Sequence, residues 1–214
     1  MGKKTEKLVS ILQLQPVVPV LVVDRVATAI PLAKALVAGG LKAIEITLRT
    51  DAALDAIKAV ADEVEGAEVG AGTILNARQF EAAVDAGSRF IVSPGTTQEL
   101  LDVASRSSVP MLPGAATPSE IMALREEGYA VMKFFPAEQA GGAAYLKALS
   151  SPLGGISFCP TGGITADKAG EYLSLPNVIC VGGSWVAPKK LVEAGDWSAI
   201  TQLAGEACKL ATAD

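Results

Sequence analysis

The sequence predicts an α/β fold built on a parallel sheet: a (β/α)8 TIM barrel with an extra N-terminal helix. Three observations lead there. Eight short runs rich in Val and Ile alternate strictly with eight longer Ala/Leu/Glu/Lys stretches of helical spacing, the connections between them are short, and no charged extra lobe interrupts the series. An open doubly wound sheet is the competing arrangement. It would more naturally carry a glycine-rich dinucleotide turn after its first strand, where this chain has Val23-Asp24-Arg25-Val26. The 214 residues, half of them hydrophobic, suit a single domain over 1–214 with a large core.

In chain order, the segment Met-Gly-Lys-Lys-Thr-Glu-Lys leads into one short amphipathic helix containing Glu and Gln, unlike the apolar core of a secretion signal. Strands are predicted at 17–23, 43–48, 67–73, 89–93, 109–112, 130–135, 156–161 and 178–182. Helices are predicted near 27–38, 51–64, 76–86, 97–106, 118–127, 141–150, 165–173 and 188–211. Punctuation agrees with this division. Three of the helices run into glycine, at Gly39-Gly40, Gly87 and Gly128, as left-handed C-caps do. Thr117-Pro118-Ser119-Glu120 sets a capping threonine, a first-turn proline and a capping-box glutamate in order.

Composition excludes several classes of function. Net charge is −5 with no long run of one sign, and 5% of residues are aromatic, so neither a nucleic-acid footprint nor a polybasic membrane patch is expected. No apolar stretch reaches transmembrane length. Three cysteines, odd in number and without metal-type spacing, read as reduced thiols in a cytoplasmic protein. Histidine is absent. Ser-His and Cys-His nucleophile systems and most zinc or iron sites are thereby removed, so no metal is expected and the chemistry falls to Lys, Glu, Asp, Arg, Ser or Thr.

The apolar run Ala-Val-Met-Lys-Phe-Phe-Pro-Ala (130–137) carries Lys133 in the middle of a predicted strand. A strand-end lysine can snorkel to water. One held inside loses hydration that favours its charged form, and the free amine is a nucleophile for carbonyl groups. Strand two supplies it with company. In Ala43-Ile44-Glu45-Ile46-Thr47-Leu48-Arg49 the odd positions from 45 on are polar and the even ones apolar. An exposed face explains that pattern in a half-solvated sheet. In a barrel, helices cover the outside, so Glu45, Thr47 and Arg49 point into the lumen; if Lys133 faces inward with them, so does Phe135, while Met132 and Phe134 face the helices. Strand seven ends Pro160-Thr161-Gly162-Gly163 and strand eight ends Gly182-Gly183-Ser184. Either glycine pair alone is a turn; together, at these two strand ends, they suggest a site for a phosphorylated ligand.

With these residues in hand, the chain resembles the bacterial 2-keto-3-deoxy-6-phosphogluconate (KDPG) aldolase family, which also handles 4-hydroxy-2-oxoglutarate. The resemblance rests on Glu45-Ile46-Thr47-Leu48-Arg49-Thr50, Gly70-Ala71-Gly72-Thr73, Ser93-Pro94-Gly95, Lys133-Phe134-Phe135-Pro136-Ala137-Glu138, Cys159-Pro160-Thr161-Gly162-Gly163 and Gly182-Gly183-Ser184-Trp185, and it spans nearly the whole chain. It implies a class I aldolase of the Entner-Doudoroff pathway that releases pyruvate and D-glyceraldehyde 3-phosphate, with no cofactor beyond a covalent Schiff base on Lys133. It further implies that Glu45 moves protons, that Arg49 and Thr73 hold the pyruvate carboxylate, and that Pro94 and Phe135 line the slot for its methyl group. Thr161 is implied to read a substrate hydroxyl, Gly162, Gly163, Gly183 and Ser184 to take the phosphate, and the assembly to be a homotrimer. An aldolase for the galactonate epimer, and a phosphosugar isomerase or synthase on a similar barrel, are the alternatives; the polar Thr161 favours the gluconate form.

Overall fold

The computed structural model describes residues 2–210. Its elements, in order, are α1 (Lys3–Leu12), β1 (Val17–Leu21), α2 (Val26–Ala38), β2 (Ala43–Thr47), α3 (Ala53–Glu63), β3 (Glu68–Gly72), α4 (Ala77–Asp85), β4 (Ile91–Val92), α5 (Gln98–Arg106), β5 (Met111–Leu112), β6 (Gly114–Ala115), α6 (Pro118–Glu126), β7 (Val131–Phe134), α7 (Gly142–Leu149), β8 (Ser157–Pro160), α8 (Ala166–Leu173), β9 (Val181–Gly183), α9 (Lys189–Ala194) and α10 (Trp197–Ala207). Six strands pair in the order β5-β4-β3-β2-β1-β9, as a half-barrel, and three in the order β6-β7-β8. Every registered pair is parallel, as the alternation of strands and helices requires. Isolated parallel bridges join Phe158 to Val178 and Thr161 to Gly182, between β8 and the β9 side of the larger sheet.

Three predicted elements come out differently. The predicted strand 109–112 is instead two short pieces, β5 and β6, flanking Pro113. Proline has no N–H to continue the ladder, but its carbonyl accepts from the Lys133 N–H at 2.8 Å, so pairing crosses the break. The predicted strand 178–182 starts later, at Val181. The predicted helix 188–211 is two helices, α9 and α10. Gly195 stops α9 at φ 67°, and Asp196 opens α10 by accepting the Ala199 N–H at 3.0 Å. Residue 211 lies outside the described residues. The expected glycine caps form: Gly40, Gly87 and Gly128 all have positive φ, and each passes the chain directly toward a strand.

Period-two alternation decides what faces the helices. Ile44 and Ile46 of β2 and Met132 and Phe134 of β7 belong to the large apolar layer between strands and helices. Val18, Ala43, Val92, Leu112, Val131 and Cys159 form a separate inner cluster with Leu8, Ile11 and Leu12. Helix α1 therefore closes the N-terminal end of the strands with its apolar face. It is held there by Lys4, whose ammonium donates to the Ala104 and Ser105 carbonyls at 2.8 and 2.7 Å in the last turn of α5. Buried Gln15 joins the starts of β1 and β2: its amide donates to the carbonyls of Val17 and Ala43 and accepts from the N–H groups of Lys42 and Ala43. With the bottom sealed, the open end lies at the strand C-termini.

The capping box at α6 forms as the sequence indicates. Thr117 Oγ1 accepts the Glu120 N–H, and the Glu120 carboxylate accepts the N–H groups of Ala116 and Thr117. Thr117→Ala removes one half of this exchange, and thermal unfolding of the variant is expected to show a loss of about 1 kcal/mol.

Candidate active site

Lys133 sits in the middle of β7, in register with Gly114 of β6 and Cys159 of β8. Its amine lies inside the protein: Nζ is 3.4 Å from Glu45 Oε1, with the two side chains 6% and 4% exposed. Glu45 comes from the middle of β2, where Val20 and Gly70 are its register partners. The ring of Phe135 lies on another side of the ammonium, its centroid 5.3 Å from Nζ. Two buried opposite charges thus satisfy each other, with an aromatic face against the amine.

Above this pair, Thr47 directs Arg49. The Thr47 hydroxyl spends its hydrogen on the Leu21 carbonyl at 2.8 Å, so its oxygen must accept, and it accepts from Arg49 Nε at 3.0 Å. That bond leaves the outer guanidinium nitrogens free for a carboxylate. Thr73, one residue past β3, has φ 60°. A β-branched residue there is strained by about 1–3 kcal/mol, a cost that persists where the surroundings dictate the conformation.

Close approach of backbone shapes the rest. A side chain on Gly114 would meet the nitrogen of Gly95 at 2.6 Å, so the bare glycine lets the Ser93-Pro94-Gly95 turn enter. Thr96 Oγ1 secures that turn by donating to the Gly114 carbonyl at 3.0 Å. Thr161 is accommodated in the same way, since a Cβ on Gly182 would fall 2.9 Å from its Cγ2. After Thr161 the chain turns through Gly162 (φ 107°) and Gly163 (φ 76°). The N–H groups of these two glycines donate to no group among the described residues, and they present an anion-binding concavity.

These parts converge. A cavity of about 320 Å³ is lined by Lys133, Glu45, Arg49, Thr73, Pro94, Phe135, Thr161, Gly162, Gly163, Gly183 and Ser184, which are all the residues singled out from the sequence, together with Val20, Thr47, Ile164 and Gly182. A larger hollow of about 600 Å³ adjoins it through Val20, Arg49 and Ser184, but its walls include neither Lys133 nor Glu45. The smaller space holds the reactive groups, so it is the candidate active site. Gly72 was missed by sequence reasoning. A Cβ on it would lie 2.6 Å from Glu45 Cδ and 2.7 Å from Cγ, so it is the space into which the carboxylate folds. Only its place in Gly-Ala-Gly-Thr hinted at this. Among the described residues, no group of three or more His, Cys, Asp or Glu is placed to hold a metal ion.

Comparison with known proteins agrees with this geometry. The model of the KDPG and KHG aldolase family matches residues 8–203, and the chain belongs to that family. It is 54% identical to a 2-dehydro-3-deoxy-phosphogluconate aldolase of Pseudoalteromonas atlantica, over 90% of this chain and 89% of the relative. To the KHG/KDPG aldolase of Escherichia coli it is 50% identical, over 92% and 93%. Among solved structures, a KDPG aldolase of Legionella pneumophila with pyruvate captured as a covalent carbinolamine superposes with a TM-score of 0.92 at 43% identity, covering 94% of this chain and 98% of that one. The Zymomonas mobilis enzyme with 3-phosphoglycerate gives 0.92 at 47%, covering 98% of each.

The fit of Glu45 against Gly72 can be tested by a pair of substitutions. Gly72→Ala is expected to lower stability by about 2 kcal/mol in denaturant unfolding, because the carboxylate must move. In a Glu45→Ala background, which removes every clashing atom, the same change should cost nearly nothing. Equal costs in both backgrounds would refute the contact.

Proposed function

We propose that this protein is a class I aldolase that cleaves 2-dehydro-3-deoxy-6-phosphogluconate to pyruvate and D-glyceraldehyde 3-phosphate, and 4-hydroxy-2-oxoglutarate to pyruvate and glyoxylate. The observation that carries the reading is the buried amine of Lys133 beside the carboxylate of Glu45. Glu45 accepts the proton that the amine must lose before it can attack. Lys133 Nζ then adds to the C2 ketone, giving a carbinolamine; Glu45 returns its proton to the C2 hydroxyl, which leaves as water to form an iminium and frees the carboxylate. Glu45, directly or through a water, removes the proton of the C4 hydroxyl. The C3–C4 bond breaks, its electrons pass to the iminium, and the aldehyde departs from a pyruvate enamine. Proton return from Glu45 to C3 regenerates an iminium, and water hydrolyses it to pyruvate and free Lys133.

Arg49 and Thr73 hold the substrate carboxylate in this reading, fixing C2 against the amine. Pro94 and Phe135 border the carbon that becomes the pyruvate methyl. Thr161 contacts a substrate hydroxyl, while the Gly162 and Gly163 amides, with Gly183 and Ser184, receive the phosphate. The relatives' names favour the gluconate-derived substrate, and no bound metal or organic cofactor takes part in the scheme.

We also read the two sheets as one closed (β/α)8 barrel and residues 1–214 as a single domain. Support comes from the bridges between Thr161 and Gly182 and between Phe158 and Val178, and from the single residue separating β5 from β6. Among the described residues no helix is long and apolar enough to cross a membrane. A cytoplasmic homotrimer is the expected form; light scattering should give three times the chain mass.

Incubation with pyruvate and borohydride is expected to attach a reduced pyruvyl group to Lys133, located by peptide mass spectrometry. Cleavage of the phosphorylated substrate should vanish in Lys133→Ala and fall about 10²-fold or more in Glu45→Gln. Turnover surviving without Lys133 would sink the Schiff-base reading and point to an isomerase or synthase.

A further inference from the structure

The loop that carries Gly162 and Gly163 cannot hold its own shape. Both residues have positive φ, and glycine has more backbone freedom than any other residue, so an outside contact must fix where their amides point. Glu138, four residues past β7, makes that contact three times over. Its N–H donates to the Gly162 carbonyl at 3.1 Å, next to an Ala137 N–H that donates to the Thr161 carbonyl at 2.8 Å. Its Cβ and Cγ cover the position of a Cβ on Gly163, at 2.9 and 3.0 Å. Its carboxylate accepts from the Tyr172 hydroxyl and the Lys168 ammonium, both on α8, the helix that follows the glycine loop.

We propose that Glu138 is a positioning residue, clamping the loop after β7 to α8 so that the Gly162 and Gly163 amides are set for the phosphate end of the substrate. Tyr172 is fully buried, and this carboxylate is its hydroxyl's partner, so displacing the acceptor strips a buried phenol of its hydrogen bond. Lys168 hydrogen-bonds the other carboxylate oxygen and, with Tyr172, holds the Glu138 carboxyl below the usual carboxylate range. The phenol of Tyr172 is pushed upward, by its burial first and then by Glu138. The clamp thus keeps a negative charge close behind an anion site while the two donors compensate it.

This inference rests on the aldolase reading, and its test separates the two. Pyruvate has no phosphate and reaches Lys133 without the glycine loop, so solvent-deuterium exchange of its methyl group, followed by NMR, reports on the catalytic end alone. Cleavage of the phosphorylated substrate reports on both ends. Tyr172→Phe keeps volume and charge, and Glu138→Ala removes the carboxylate that reaches α8 while keeping the backbone N–H and the Cβ. Each is expected to raise KM for the phosphorylated substrate about fivefold or more, leaving its kcat and the KM for pyruvate exchange within about twofold. The double variant should be no worse than Glu138→Ala alone, since both substitutions break one connection. Equal losses on both substrates, a fall confined to kcat, or no change in KM for Tyr172→Phe would overturn the clamp. Absence of both activities in the unaltered protein would instead overturn the aldolase reading and the clamp with it.

Discussion

Holding a lysine and a glutamate 3.4 Å apart inside the protein is the constraint on which the rest of this structure turns. Removing two charges from water costs several kcal/mol for each ion, and their attraction offsets that only when the geometry is good. Either one alone would be left uncompensated at a cost of about 3–5 kcal/mol. The surroundings meet this demand from several directions. Gly72 yields its side-chain space to the carboxylate, Phe135 covers the amine, and the Pro113 carbonyl fixes the Lys133 backbone. Because Glu45 belongs to the six-stranded sheet and Lys133 to the three-stranded one, the same pair also ties the two sheets together.

Polarity changes within one step along the strands. Val18, Ala43, Val131 and Cys159 form an apolar layer sealed from below by α1. Two residues further along each strand, on the same face, stand Val20, Glu45, Lys133 and Thr161, and all four line the cavity. That step is about 6.6 Å of strand. A packed, dry floor and a reactive chamber are consequently the same inward face at successive heights. The parallel arrangement makes this possible, because every strand brings its C-terminal end to the same side.

That inward face was legible in the sequence because a polar residue at every second place, in a sheet covered by helices, has nowhere else to point. The elements were legible for a similar reason, since their caps and periods are local. Much of the remainder depends on contacts between distant segments. Gly72 has to be bare because of Glu45, and Gly114 because of the turn around Pro94; neither dependence shows in the residues beside them. Tyr172 reads as an ordinary core position of an amphipathic helix, and nothing near it in the chain announces Glu138. Thr73 has a sequence that suggests extended backbone, yet it lies at φ 60°. The division of the predicted helix 188–211 is different, for Gly195-Asp196 is a local stop and start that the helical composition on either side obscured.

The two ends of the cavity are built from different materials. At the end proposed for the keto acid, side chains are fixed by neighbouring groups and by strain: Thr47 between the Leu21 carbonyl and Arg49, Thr73 in a conformation it would not choose alone. At the far end the donors are backbone amides of glycine, adjustable unless something external holds them. Such a division tolerates variation in the part of the substrate that does not react while keeping C2 fixed against the amine, where small misplacement is costly. On the proposed function, that division gives a physical basis for a family whose description joins a phosphorylated and an unphosphorylated keto acid. The carboxylate, ketone and breaking bond are common to both substrates and need the rigid end. The phosphate and the shorter carboxylate tail differ in size and charge, and in the proposed function it is the glycine concavity that receives either.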